Sequence, residues 1–218
     1  MSLRVLLARL TRRLRWQNPA RAALLLLAFA RAERSSHYDL LAAAKSCKDE
    51  RRRGRYLLHA SDEARHASMF ALRAQQLAPE VLGSATVRAD FEQLFERLGE
   101  LGFLAFVHLG ELRGRRQLSL YRDELAHRGD DRSRALFDAV LVDEARHEQY
   151  TAEELLLVAG SERAAARALW RARVWQGWRS WRRLGRQVAG VTFGLCMQLV
   201  FLCLLPLALL ERARRAGR

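Results

Sequence analysis

Apolar residues along this chain recur at intervals of three and four rather than two, which predicts helices almost throughout. At the amino end Leu3, Leu6, Leu7, Leu10 and Leu14 form one such stripe, interleaved with Arg4, Arg9, Arg12, Arg13 and Arg15. Residues 1–17 therefore read as a basic amphipathic helix of the interfacial type, with an arm packed on the protein body as the alternative. Asn18-Pro19 then marks a helix start, a capping side chain followed by proline at the first helical position. Bundle helices are expected over residues 19–47, 49–77, 103–127 and 131–159, with a short helix near residues 90–98 leading into the third. Gly129-Asp130 punctuates the last of these turns. Three prolines and thirteen scattered glycines fit long helices better than a many-turned β fold, so the class is all-α.

Acidic residues interrupt this pattern where they are least expected. Residues 22–30 are nine apolar positions in a row, and Glu33 follows them on the same helix. The pentapeptide Asp-Glu-Ala-Arg-His occurs twice, at residues 62–66 and 143–147. Glu33 stands 30 residues before Glu63, and Glu111 stands 33 before Glu144. The chain thus carries one helix-pair unit twice, and residues 18–160 form the expected four-helix bundle.

The composition changes after Ser161. Trp170, Trp175, Trp178 and Trp181 alternate with arginines, and residues 188–210 carry no charge. Twenty-three residues at about 1.5 Å each suffice to cross a bilayer core of roughly 30 Å. Residues 161–187 then read as a basic, tryptophan-rich interfacial helix, residues 188–210 as a transmembrane helix and residues 211–218 as a basic tail. A buried helix of the bundle or of a homodimer is the competing reading. The formal charge of +14 is almost all arginine, and its crowding beside apolar segments points to an anionic membrane surface rather than to nucleic acid. The stronger basic flank upstream of the span places the bundle on the cytoplasmic side of a single-pass anchor. Cys47, Cys196 and Cys203 form no CxxC pair, so no disulfide framework is readable.

Residues i and i+3 share a helix face. Glu63 with His66, and Glu144 with His147, can each offer a carboxylate and an imidazole to one metal ion. Glu33 and Glu111 complete a six-ligand set with two-fold symmetry, in which carboxylates bridge two ions. Oxygen-rich sites of this kind suit iron or manganese, and affinity alone does not exclude zinc. His37, His59 and His108 stand within a turn of Glu33, Glu63 and Glu111. They read first as packed core histidines, and otherwise as extra ligands, proton carriers or hydrogen-bond donors. Tyr38 and Tyr150 fall within about a turn of ligands and read as packing aromatics.

A glutamate followed some 30 residues later by Asp-Glu-x-x-His, given twice, resembles the ferritin-like superfamily of non-haem di-iron carboxylate proteins. The arginine before each histidine is similar to the di-iron monooxygenases and N-oxygenases more than to iron-storage ferritin. That resemblance implies a ferritin-like four-helix bundle in which Glu33, Glu63, His66, Glu111, Glu144 and His147 are both metal ligands and the catalytic set. It further implies that Asp62 and Asp143 accept hydrogen bonds from the ligand imidazoles, with Arg65 and Arg146 bonded to carboxylates around them. The expected cofactors are two iron ions, or manganese, with O₂ as co-substrate and an external electron donor of ferredoxin or reductase type. The expected activity is an O₂-dependent oxidation, a hydroxylation or desaturation, of a lipophilic small molecule at the membrane. A rubrerythrin-like peroxidase or ferroxidase and a non-catalytic metal-binding membrane subunit are the alternatives.

Overall fold

A computed structural model describes residues 16–82 and 93–216, and the last described side chain is that of Leu204. All of its regular structure is helical: α1 (Pro19–Ser46), α2 (Glu50–Leu77), α3 (Pro79–Leu82), α4 (Leu94–Arg128), α5 (Asp131–Ala159) and α6 (Glu162–Ala216). The expected amino-terminal helix lies outside the described residues apart from Trp16 and Gln17.

The helix ends follow from local chemistry. Asn18 accepts hydrogen bonds from the Ala20 and Arg21 amides with Pro19 in the first turn, and Asp49 and Asp130 cap α2 and α5 in the same manner. Gly129 and Gly160 close α4 and α5 at φ 70° and 68°, a region that costs glycine nothing. The sequence predicts a short helix and then a separate third helix, and the backbone has both: α4 is interrupted at Gly99, whose φ 67°, ψ 167° is not helical, and the third helix resumes directly after it rather than at Phe103.

α1 packs along α2 and α4 packs along α5, and these two hairpins meet through α1 against α4 and α2 against α5. The four long helices thus enclose one interior. A cluster of aromatic rings fills one end: Phe29 stacks on Phe70 at 5.3 Å, Phe137 and Tyr121 meet Phe29 edge-on, and Trp16 meets Phe137 and Tyr121 edge-on in turn. Tyr56, Phe95 and Phe103 form a second aromatic layer. Each fully buried phenylalanine contributes roughly 2–3 kcal/mol. Along α2 the order Tyr56, Glu63, Phe70 places the acidic stretch between these layers, shielded from water on both sides.

The described chain divides into two compact units, with the boundary between Ala172 and Arg173. The composition shift after Ser161 precedes this boundary because Ala165, Ala168 and Ala172 are still buried. In the second unit Trp178, Trp181, Val188, Val191, Phe193 and Leu195 are each more than half exposed. Among the described residues no helix is long and apolar enough to cross a membrane. The uncharged stretch of residues 188–210 continues past the last described side chain.

Candidate metal centre

The expected ligands come from all four bundle helices, Glu33 from α1, Glu63 and His66 from one turn of α2, Glu111 from α4, and Glu144 and His147 from one turn of α5, and the bundle brings all six together. Two donor groups form. His59, Glu63, Glu111 and His147 can each place one ligand atom so that all lie within 4.8 Å of one another, and the same holds for Glu33, Glu63, His66 and Glu144. Glu63 belongs to both groups. Gly114 on α4 leaves room for this arrangement, since a side chain there would meet Glu144 Oε2 at 3.3 Å.

The two pentapeptides brace each other across the α2–α5 contact. His66 Nε2 donates to Asp143 at 3.1 Å, and His147 Nε2 donates to Asp62 at 3.1 Å. Arg65 donates to Asp62 at 2.8 Å and to Asp143 at 2.6 Å, while Arg146 donates to Asp62 at 2.7 Å and to Asp143 at 2.8 Å. Each aspartate therefore orients the histidine of the other motif. With Nε2 engaged outward, Nδ1 of His66 and Nδ1 of His147 face the glutamates, 3.8–3.9 Å from the nearest carboxylate oxygens. These two nitrogens and His59 Nε2 are buried and have no hydrogen-bond partner. Three unpartnered imidazole nitrogens aimed at four carboxylates suit a metal pair and are what a metal-free core avoids.

The electrostatics point the same way. Burial and the facing carboxyls push Glu33 and Glu111 well up, and push Glu63 and Glu144 up to about 8. Burial holds His59 and His147 down to about 3 and lowers His66, so all three are neutral and able to ligate. Burial also works against charge on Asp62 and Asp143. There the hydrogen bonds from His147 and His66, with Arg146 and Arg65, outweigh it and keep both below the usual range. When ionised, the four glutamates carry a charge of −4 that no side chain inside the cluster offsets, and two divalent cations would neutralise it. The donor set thus fits a carboxylate- and imidazole-bound metal pair.

A pH dependence follows. Between the ordinary glutamate value of 4.5 and about 8, the folded metal-free chain binds more protons than the unfolded one, so its stability falls as pH rises. The histidines act oppositely, but only between about 3 and their ordinary value of 6.5. Above pH 6.5 the acids act alone. The melting temperature of the metal-free protein is expected to fall by several degrees from pH 6.5 to 8, and a divalent metal to abolish that slope. A flat profile without metal would mean that the glutamates are not crowded as described.

The remaining candidates separate cleanly. His37 Nδ1 bonds the Ala60 carbonyl at 2.7 Å, tying α1 to α2, and His108 Nδ1 bonds Thr151 Oγ1 at 3.0 Å, tying α4 to α5. Both are packing groups. Tyr38 is exposed and lies edge-on to His37. His59 departs from the core reading, since it is a member of a donor group. The signal that could have found it is the run His59, Glu63, His66, which lies on one helix face at steps of four and three. Tyr150 likewise does more than pack, because its hydroxyl meets His59 Nδ1 at 2.5 Å. A cavity of about 280 Å³ opens beside them, lined by Arg55, Leu58, His59, Arg146, His147 and Tyr150 among others.

No protein-family model, curated protein or solved structure matches this chain.

Proposed function

We propose that the chain is a membrane-anchored oxidoreductase of the ferritin-like di-iron class. It would use two iron ions, or manganese, with O₂ and an external electron donor, to hydroxylate or desaturate a lipophilic small molecule. The observation that carries this reading is the convergence of three unpartnered, buried imidazole nitrogens on the buried Glu63, Glu111 and Glu144 and the half-buried Glu33 within a cross-braced helical repeat.

A redox-active metal pair supplies electrons to O₂, a task for which side chains alone have no equivalent. The chain's own residues supply the rest. Glu33, Glu63, His66, Glu111, Glu144, His147 and His59 are the ligand set, and Glu63 and Glu144 release protons as metal is taken up. Asp62 and Asp143 hold two of the imidazoles in one orientation. The aromatic layers keep bulk water from the centre, while the cavity beside Tyr150 gives a small molecule access to one side of it. That access favours an organic substrate over simple peroxide or Fe²⁺ turnover.

The membrane part of the reading rests on the uncharged residues 188–210 and on Trp170, Trp178 and Trp181, which are exposed among arginines as in a headgroup belt. Apolar side chains are exposed at Val188, Val191, Phe193, Leu199, Val200 and Phe201, positions that cover every side of a helix and leave no polar face to water. The basic upstream flank favours a cytoplasmic bundle.

The purified protein is expected to hold two ions per chain. With reductant, O₂ and a membrane lipid extract it is expected to yield a product heavier by one oxygen, or lighter by two hydrogens, that a Glu144→Ala variant does not form. Sustained peroxide reduction without such a product would replace the oxygenase reading with the peroxidase one. Truncation before residue 188 is expected to move the protein from the membrane to the soluble fraction. If it stays bound, the anchor is the amino-terminal segment instead.

A further inference from the structure

The two halves of the internal repeat are not equivalent around the centre. With residues 62–66 laid over 143–147, Val140 stands where His59 stands, and Met69 stands where Tyr150 stands. Val140 is buried in the apolar cluster and Met69 packs against it. The other side of the repeat is polar. His59 and Tyr150, 91 residues apart in sequence, share the 2.5 Å hydrogen bond and line the cavity. At these positions each half of the repeat departs from its copy once, and the α2–α5 contact brings both departures to the same side of the centre.

The two donor groups are unequal as a result. One contains two imidazoles and two carboxylates, from His59, His147, Glu63 and Glu111, and the other contains one imidazole and three carboxylates, from His66, Glu33, Glu63 and Glu144. His59 Nε2 lies 3.2 Å from Glu63 Oε1 and 3.6 Å from Glu111 Oε1, buried and without a hydrogen-bond partner. Tyr150 occupies the opposite ring nitrogen. A hydrogen bond there holds the ring orientation, and with the hydroxyl accepting from Nδ1–H the Nε2 lone pair faces the carboxylates, where a cation would meet it. Imidazole-rich positions suit zinc, cobalt or iron, whereas carboxylate-rich positions suit manganese or magnesium.

We infer that the centre distinguishes two divalent cations: the position of His59 and His147, with Tyr150 as positioning residue, selects an imidazole-preferring ion, and the position of Glu33, His66 and Glu144 takes an oxygen-preferring one. This rests on the metal-binding reading above and adds an order to it.

The test loads full-length, metal-free protein with one equivalent each of Zn²⁺ and Mn²⁺, followed by metal analysis and electron paramagnetic resonance. One zinc and one manganese per chain are expected, with the spectrum of isolated Mn²⁺, because each manganese has a diamagnetic neighbour. His59→Val, which copies the repeat-related residue, is expected to raise the share of spin-coupled manganese pairs to that of random mixing while circular dichroism shows the helices intact. Tyr150→Phe, which removes only the hydroxyl, is expected to weaken zinc uptake about tenfold and to shift the pair distribution in the same direction. Wild-type protein that binds neither ion sinks the metal-binding reading itself. Wild-type protein that binds both at random overturns the inequality alone. A His59→Val or Tyr150→Phe protein as selective as wild type removes that residue from the account.

Discussion

Glu63→Gln protein is expected to keep its helices, to lose both metal ions, and, when metal-free, to melt at a higher temperature than metal-free wild type. Glu63 is the one carboxylate common to both donor groups. On the proposed metal-binding reading, its loss would remove a ligand from each ion at once. Outer partners of ligands are commonly worth about 10–100-fold in metal affinity, so a shared ligand is expected to cost more than about 100-fold. The stabilisation of the metal-free form has a separate cause. Glu63 is 2% exposed and faces other carboxyls, so burial and Glu144 push it up to about 8. Glutamine has nearly the same volume and cannot ionise, which removes that burden without leaving a cavity. Calorimetry with and without metal at pH 8 reads both effects. A variant that still holds two ions would show that the centre does not depend on a shared glutamate. A metal-free variant that melts below wild type would show instead that Glu63 is satisfied as a carboxylate within the core.

Much of this arrangement was legible because the chain repeats itself. The caps at Asn18, Asp49 and Asp130 are side chains whose preference is local, and the helices begin there as local rules require. The four glutamates and two histidines were legible because burying a carboxylate on an apolar helix face is costly unless a cation meets it there, and the doubled spacing supplies the partners that would hold one. The break at Gly99 was legible as the boundary between two helical patterns, but not how soon after it the third helix resumes, because residues 100–102 carry no cap that marks a start. The crossing of the aspartates was hidden as well. Spacing puts Asp62 beside Glu63 but does not say that it reaches His147 on another helix. His59 shows the same limit, because a buried histidine on an apolar face is usually packing, and its role depends on Tyr150, 91 residues away.

That crossing gives the second large expectation. Asp62→Asn is expected to weaken the metal position that contains His147, and Asp143→Asn the one that contains His66, each by about 10–100-fold. Each aspartate thus acts on the motif it does not belong to. The ground is geometric: Asp62 Oδ2 accepts from His147 Nε2 at 3.1 Å, and Asp143 Oδ2 accepts from His66 Nε2 at the same distance. Asparagine keeps the shape but removes the charge that holds the imidazole with Nε2 outward and Nδ1 toward the glutamates. The fold is expected to survive, because the Arg65 and Arg146 side chains are about half exposed and can turn to water when a counterion is lost. Arg65→Ala or Arg146→Ala is expected to change stability by only about 1 kcal/mol, because each aspartate keeps its other arginine and its histidine donor and so is not left unpaired. The comparison decides what the cross-brace is for. If the aspartate variants lose metal affinity while the arginine variants barely lose stability, the network serves the ligands. If melting temperature falls in all four with affinity unchanged, it serves only to join α2 to α5.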